Sequence, residues 1–130
     1  MASTPVSASV STRSVVTSLA IDVVLVVVFA AIGRASHEEA VLPGLWITAW
    51  PFLAGLALGW LITLAWRAPM APLRTGLGVW AVTLVGGMLL RGVSGQGVAV
   101  AFVIVAGVVL FVFLVGWRGI AAFVRRRRAG

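Results

Sequence analysis

The residue with the most chemical potential is Asp22, a carboxylate near the middle of an otherwise apolar run from Val15 to Gly33. An ionisable group at such a position costs about 2.5 to 3.5 kcal/mol on insertion scales, so it needs a partner or a proton. Two uses follow. As an exchangeable acid it can bind and release a proton and couple a flux to a pH gradient; as a paired group it can tie helices together. Burial in a dry site favours the neutral acid, whereas an adjacent guanidinium favours the carboxylate. Ser11, Ser14, Ser18 and Asp22 follow at three- and four-residue steps and share one helical face, which must turn away from lipid.

A second polar group is Arg34-Ala35-Ser36-His37-Glu38-Glu39. His37 with Glu38 and Glu39 has the composition of a metal or acid/base site, but adjacent residues on a helix diverge and the chain holds a single His. The spacing of Ser36 and Glu39 instead predicts a capping box, with Ser36 accepting from the Glu39 N–H and Glu39 returning to that of Ser36. The turn Gly92-Val93-Ser94-Gly95-Gln96-Gly97 has N–H groups suited to an anion but lacks the spacing of a phosphate loop, and it is expected to be a connector. No nucleophile, base and orienting group fall together. Catalytic residues, metal ligands and cofactors are therefore not expected, nor is an enzyme.

The elements that must position these residues are membrane spans. Of 130 residues 62% are hydrophobic and only 10% charged, against about 25% charged in soluble domains. One domain is all such a chain can hold. The Cys count of 0 removes thiol chemistry and disulfides. A net charge of +7 could suit nucleic acid, but the ten basic residues, all Arg, sit between apolar runs and at the C-terminal end, without a soluble basic face. No nucleic-acid partner is expected.

Crossing about 30 Å of hydrocarbon takes roughly 20 apolar residues. The sequence predicts an all-α, antiparallel up-down-up-down four-helix bundle, its spans at about 15–33, 45–66, 75–90 and 98–117 within a domain covering 14–118. Residues 1–13 are expected to be a disordered cytoplasmic tail and residues 119–130 a basic one. The first run ends at Gly33-Arg34 without a small-residue cleavage pattern, which favours an uncleaved span over a signal peptide. In the second, Trp46 and Trp66 read as interface anchors, Pro51 frees a carbonyl that needs a new donor, and Gly55 and Gly59 form a G-x-x-x-G spacing for a close helix neighbour. The third is short, about 24 Å, so Arg74 and Arg91 are expected to snorkel outward. Arg125, Arg126, Arg127 and Arg128 read as an anchor on anionic lipid headgroups. A homodimer or a membrane-protein partner is compatible with the small-residue faces.

Arg13, Arg67, Arg74, Arg118 and the four terminal arginines fall on one side of a four-span chain, with only Arg34 and Arg91 opposite. The positive-inside rule then puts both termini in the cytoplasm, and the plasma membrane is the expected location. Counting depth at 1.5 Å per residue puts Asp22 and Thr83 about 13 Å from their bounding arginines, and Trp60 and Trp80 about 9 Å from Trp66 and Arg74. Asp22, Ser18, Trp60, Trp80, Thr83 and Arg118 are therefore the candidate intramembrane polar core, with Arg74 as an alternative cation. Arg34, Ser36, His37, Glu38, Glu39, Arg91 and Gln96 form the candidate outer cluster.

Asp22, Gly33-Arg34 with Ser36-His37, Trp50-Pro51-Phe52, Trp66-Arg67, Pro72, Thr75-Gly76, Gly87-Met88-Leu89-Leu90-Arg91 and Trp117-Arg118 together resemble an uncharacterised family of small four-span membrane proteins, domain of unknown function 3054. The resemblance spans Asp22 to Arg118 and implies a compact four-helix membrane domain, with no activity attached. The architecture is also similar to that of small multidrug resistance transporters, which carry an essential carboxylate in the first of four spans. The polar first loop, Pro-rich middle turn and basic tail depart from that pattern. The expected function is that of a non-enzymatic accessory or structural membrane component. The alternative is a small proton-coupled transporter or channel with Asp22 as its proton-binding carboxylate.

Overall fold

The computed structural model describes residues 10–36 and 39–129, and these form four long helices with no strand among them. Helix α1 is Thr12–Ser36, α2 is Val41–Thr63, α3 is Leu77–Val93 and α4 is Val100–Ala129. His37 and Glu38, and nearly all of the expected N-terminal tail, lie outside the described residues.

Each helix is long and apolar enough to cross a membrane. Their outward faces carry Val16, Val24, Leu61, Ile62, Val85, Leu89, Val108 and Val112, all more than half exposed. An apolar surface on this scale is rare on soluble monomers and suits contact with lipid. The chain is a small multi-pass membrane protein.

Contacts between helices alternate in direction along the chain. A Cβ added at Gly55 would stand 2.9 Å from the Thr83 carbonyl oxygen and 3.1 Å from the Gly87 nitrogen, and one at Gly59 would stand 3.3 Å from Val79. The G-x-x-x-G spacing thus brings α2 against the backbone of α3 within one chain, antiparallel. Phe29 of α1 meets Phe52 of α2 edge-on, ring centroids 5.0 Å apart, and lies 6.4 Å from Phe102 of α4. Trp80 of α3 packs edge-on against Phe111 of α4 at 5.2 Å. The core between these contacts is Val26, Phe29, Phe52, Leu56, Val79, Ala106, Leu110 and Leu114, all buried.

The helix boundaries differ from the sequence expectation, most at the third span and at the end of the fourth. The third span is not short: the stretch Pro72–Val93 is helical throughout, 22 residues, because Pro72 starts a single π turn, Pro72–Gly76, that leads straight into α3. There the Gly76 N–H donates to Ala71 five residues back. Arg74 has no need to snorkel. It turns back on the connection, donating to the Thr63 carbonyl at 3.2 Å and to the Thr75 hydroxyl at 3.2 Å. At the C-terminal end no proline follows Trp117, so α4 runs on to Ala129 and Arg125 to Arg128 are exposed helical residues. Their charges sit where the helix macrodipole is negative.

The capping box does not form. Helix α1 continues through Ser36, whose hydroxyl donates to the Gly33 carbonyl at 2.9 Å as a last-turn residue, and the Glu39 N–H goes to the Arg34 carbonyl at 2.9 Å. The N-cap of α2 is Ala40, without a side-chain bond. Ser36 thus belongs to the last turn of α1 and not to the start of α2, because the same spacing fits a helix that is ending when the preceding run is still apolar.

Candidate functional site

In the half of the bundle where α1 begins and α4 ends, Asp22 and Arg118 meet in the interior. Both side chains have 0% exposure. Arg118 reaches Asp22 with both ends of its fork, Nη1 to Oδ1 at 2.9 Å and Nη2 to Oδ2 at 2.6 Å. Two indoles complete the shell: Trp60 Nε1 donates to Oδ2 at 2.8 Å and Trp117 Nε1 to Oδ1 at 2.8 Å. Each carboxylate oxygen therefore accepts two bonds. The shell suits an ionised carboxylate, since an acid hydroxyl there would face donors only.

The guanidinium is held as fully as its partner. Arg118 Nε donates to the Pro69 carbonyl at 2.7 Å, and Nη1 also reaches the Leu114 carbonyl at 2.9 Å. Its CZ lies 4.8 Å from the centre of the Trp117 ring. Helices α1, α2 and α4 and the α2–α3 connection are thus joined at one point, where low dielectric strengthens each charge-assisted bond. The connection itself is kept in place by the Thr75 hydroxyl, which donates to the Ala68 carbonyl.

Of the residues expected in this core, Asp22, Trp60 and Arg118 come together. Ser18 is buried one turn before Asp22, but the carboxylate finds its partners elsewhere. Trp80 faces α4 instead and donates to the Gly107 carbonyl at 2.9 Å. Thr83 is buried opposite Gly55, and its hydroxyl has no hydrogen-bond partner among the described residues. Depth along a helix fixes the level of a side chain but not its rotation about the axis, which is why Trp80 and Thr83 were misplaced. Trp117 was missed for the opposite reason. It sits next to Arg118, and neighbours on a helix diverge by about 100°, yet the long arginine reaches around to the same carboxylate.

Toward the other end, the ring layer of Phe29, Phe52 and Phe102 separates this ion pair from a second polar group. Arg34 donates from Nε to the Ala40 carbonyl at 2.7 Å and from Nη1 to the Thr48 hydroxyl at 3.0 Å, and lies 3.4 Å from Glu39. Its guanidinium lies against the backbone of Gly44, where any Cβ would displace it. Arg91 donates from Nε to the Gly97 carbonyl at 3.1 Å and from Nη1 to Gln96 Oε1 at 3.0 Å, with its CZ 4.3 Å over the Phe102 ring. Gln96 donates in turn to the Ile47 carbonyl at 3.0 Å. That carbonyl is the one Pro51 leaves without an N–H four residues on, so the third connection supplies the donor that the kink in α2 requires.

Arg34, Glu39, Arg91 and Gln96 thus share one cleft of about 350 Å³, with Phe29, Ile47, Thr48 and Phe102 among its walls. Ser36 lies at its edge, lining an adjoining apolar groove. Among the described residues no three of His, Cys, Asp and Glu are grouped to hold a metal ion.

No curated protein matches the chain, and no solved structure does. A family described as protein of unknown function (DUF3054) matches residues 19–121, a stretch that contains both the Asp22–Arg118 pair and the Arg34–Arg91 cleft. With four-fifths of its length so matched, the chain belongs to that family.

Proposed function

We propose that this protein is a non-enzymatic accessory or structural component of the cytoplasmic membrane, in which Asp22 and Arg118 form a fixed clasp rather than a proton relay. The observation that carries this is the complete donor shell of the carboxylate: four bonds at 2.6 to 2.9 Å on a side chain with no exposure. A relay residue must exchange its proton with water on one side and then the other, and a carboxylate committed to four donors has no lone pair to spare. Removing one partner from such a pair strands a charge in the interior.

The orientation we propose has both chain ends in the cytoplasm. Arg13, Arg67, Arg74, Arg118 and Arg125 to Arg128 gather toward one end of the bundle and only Arg34 and Arg91 toward the other. Single cysteines at Ser11 and Ser94, both exposed, should label from opposite faces of intact cells. Labelling from one face would reject this arrangement.

The functional test uses proteoliposomes with an imposed pH gradient. Wild type should hold the gradient across a panel of small cations and organic substrates, and the double variant Asp22→Leu with Arg118→Leu should still fold as a bundle. Wild-type vesicles that dissipate the gradient with one substrate, beside a folded double variant that does not, would replace the clasp with proton-coupled transport.

A further inference from the structure

The cleft at the Arg34–Arg91 end is polar on one side and continuous with an apolar groove on the other. Phe29, Gly33, Ala99 and Phe102 line both this cleft and an adjoining apolar groove of about 270 Å³ between α1 and α4. The groove continues past Ile32, Ala101 and Val105 to Val109, and Ile32 and Val105 are more than half exposed on the outer surface. From Ala99 to Val109 it follows α4 for about 15 Å.

The cleft carries a net positive charge among its described residues: two guanidiniums against the single carboxylate of Glu39. Both arginines are pre-positioned. Arg34 is pinned by the Ala40 carbonyl and the Thr48 hydroxyl, with only 16% of its side chain exposed. Arg91 is pinned by Gly97 and Gln96 and stacked on Phe102, and Gln96 is itself fixed by Ile47. Apart from Glu39, the groups that hold these side chains are neutral acceptors, so one of the two positive charges is left without a counter-charge among the described residues. Arginines ordered in this way lose little entropy when a multidentate oxyanion arrives, and phosphate oxygens match the guanidinium fork. A cationic recess at the end of the spans, opening sideways onto an apolar groove, is complementary to one kind of molecule.

We infer that this cleft binds an anionic phospholipid, its phosphate between Arg34 and Arg91 and one acyl chain along the α1–α4 groove from Ala99 to Val109. The assignment stands apart from the clasp and does not depend on whether Asp22 titrates. It also differs from a general attraction of the exposed Arg125 to Arg128 run for a charged surface, because it requires a defined recess and a chain path.

The test is lipid retention by the purified full-length protein, read by native mass spectrometry, with phosphatidylglycerol and phosphatidylcholine as probes. Wild type should keep one phosphatidylglycerol at collision energies that strip phosphatidylcholine. Arg91→Gln, alone and with Arg34→Gln, should lower that retention by about tenfold or more. Replacing Arg125 to Arg128 with Gln should leave it in place. Ala101→Phe fills the groove from an exposed position, so the bundle should fold normally while phosphatidylglycerol retention falls. Retention that survives the double arginine variant, or that disappears only with the terminal arginines, would overturn the assignment. So would inorganic phosphate stabilising the protein against heat as well as phosphatidylglycerol does, since the chain would then contribute nothing.

Discussion

Arg118 and Arg34 are the same residue type at opposite ends of one bundle, and they are held in different ways. Arg118 has no exposure, faces a carboxylate with both ends of its fork and gives its remaining bonds to two carbonyls. Arg34 keeps some exposure, lies 3.4 Å from a half-exposed Glu39, and donates its shorter bonds to a carbonyl and a hydroxyl. The first arrangement cancels charge and joins distant segments. The second fixes a position and leaves one positive charge in excess among the described residues of the cleft. The degree of charge balance thus separates the two arginines.

The contrast is broken most directly at the buried pair. Arg118→Leu leaves Asp22 without its cation and should cost about 3 to 5 kcal/mol, seen as a large drop in thermal unfolding temperature in detergent. The double variant with Asp22→Leu should recover most of that loss; if it does not, the pair contributes net stability beyond avoiding a stranded charge. Next come the indoles. Trp60→Phe and Trp117→Phe each remove one donor to a charged oxygen while keeping most of the packing, and each should cost about 1.5 to 3 kcal/mol. Equal losses would show that both oxygens depend on their indoles alike.

At the other end the effects are smaller. Gln96→Ala removes the donor to Ile47 and an acceptor from Arg91, but water or headgroups can substitute there, so a loss near 1 kcal/mol is expected. A loss as large as that of Arg118→Leu would erase the distinction between the ends. Smallest is Ser36→Ala, expected within about 0.5 kcal/mol because its hydroxyl donates within the last turn of α1 and caps nothing. A larger effect would place Ser36 in the cleft's own chemistry.

Much of this was legible in the sequence, for identifiable reasons. Four apolar runs of membrane length and one interior carboxylate demand a bundle with a buried polar point, and the Gly55–Gly59 spacing marks the tight α2–α3 contact. The freed carbonyl behind Pro51 was legible too, but not that Gln96, 49 residues away from Ile47, would satisfy it. Rotation about each helix axis was illegible, because the outer faces are apolar as well and leave no amphipathic stripe to read. That is why Trp80 and Thr83 looked equivalent to Trp60. Helix ends were obscured because Pro72 starts a helix as readily as it stops one.

The two halves of the clasp are 96 residues apart in the chain. At the roughly 5 to 20 residues per second of protein synthesis, Asp22 enters the membrane about 5 to 20 seconds before Arg118 exists. Trp60, only 38 residues on, arrives earlier and offers a neutral donor in the interval. Until α4 is made, the first span carries a charge it cannot hold at low cost, so an incomplete chain is marked as incomplete by its own electrostatics. Completion of the last helix is then a commitment step, after which α1 can no longer leave the bundle without exposing both charges to lipid. A nascent chain halted at Gly97 should accordingly be extracted and degraded far faster than the full chain, and Asp22→Leu should remove most of that difference in a pulse-chase measurement.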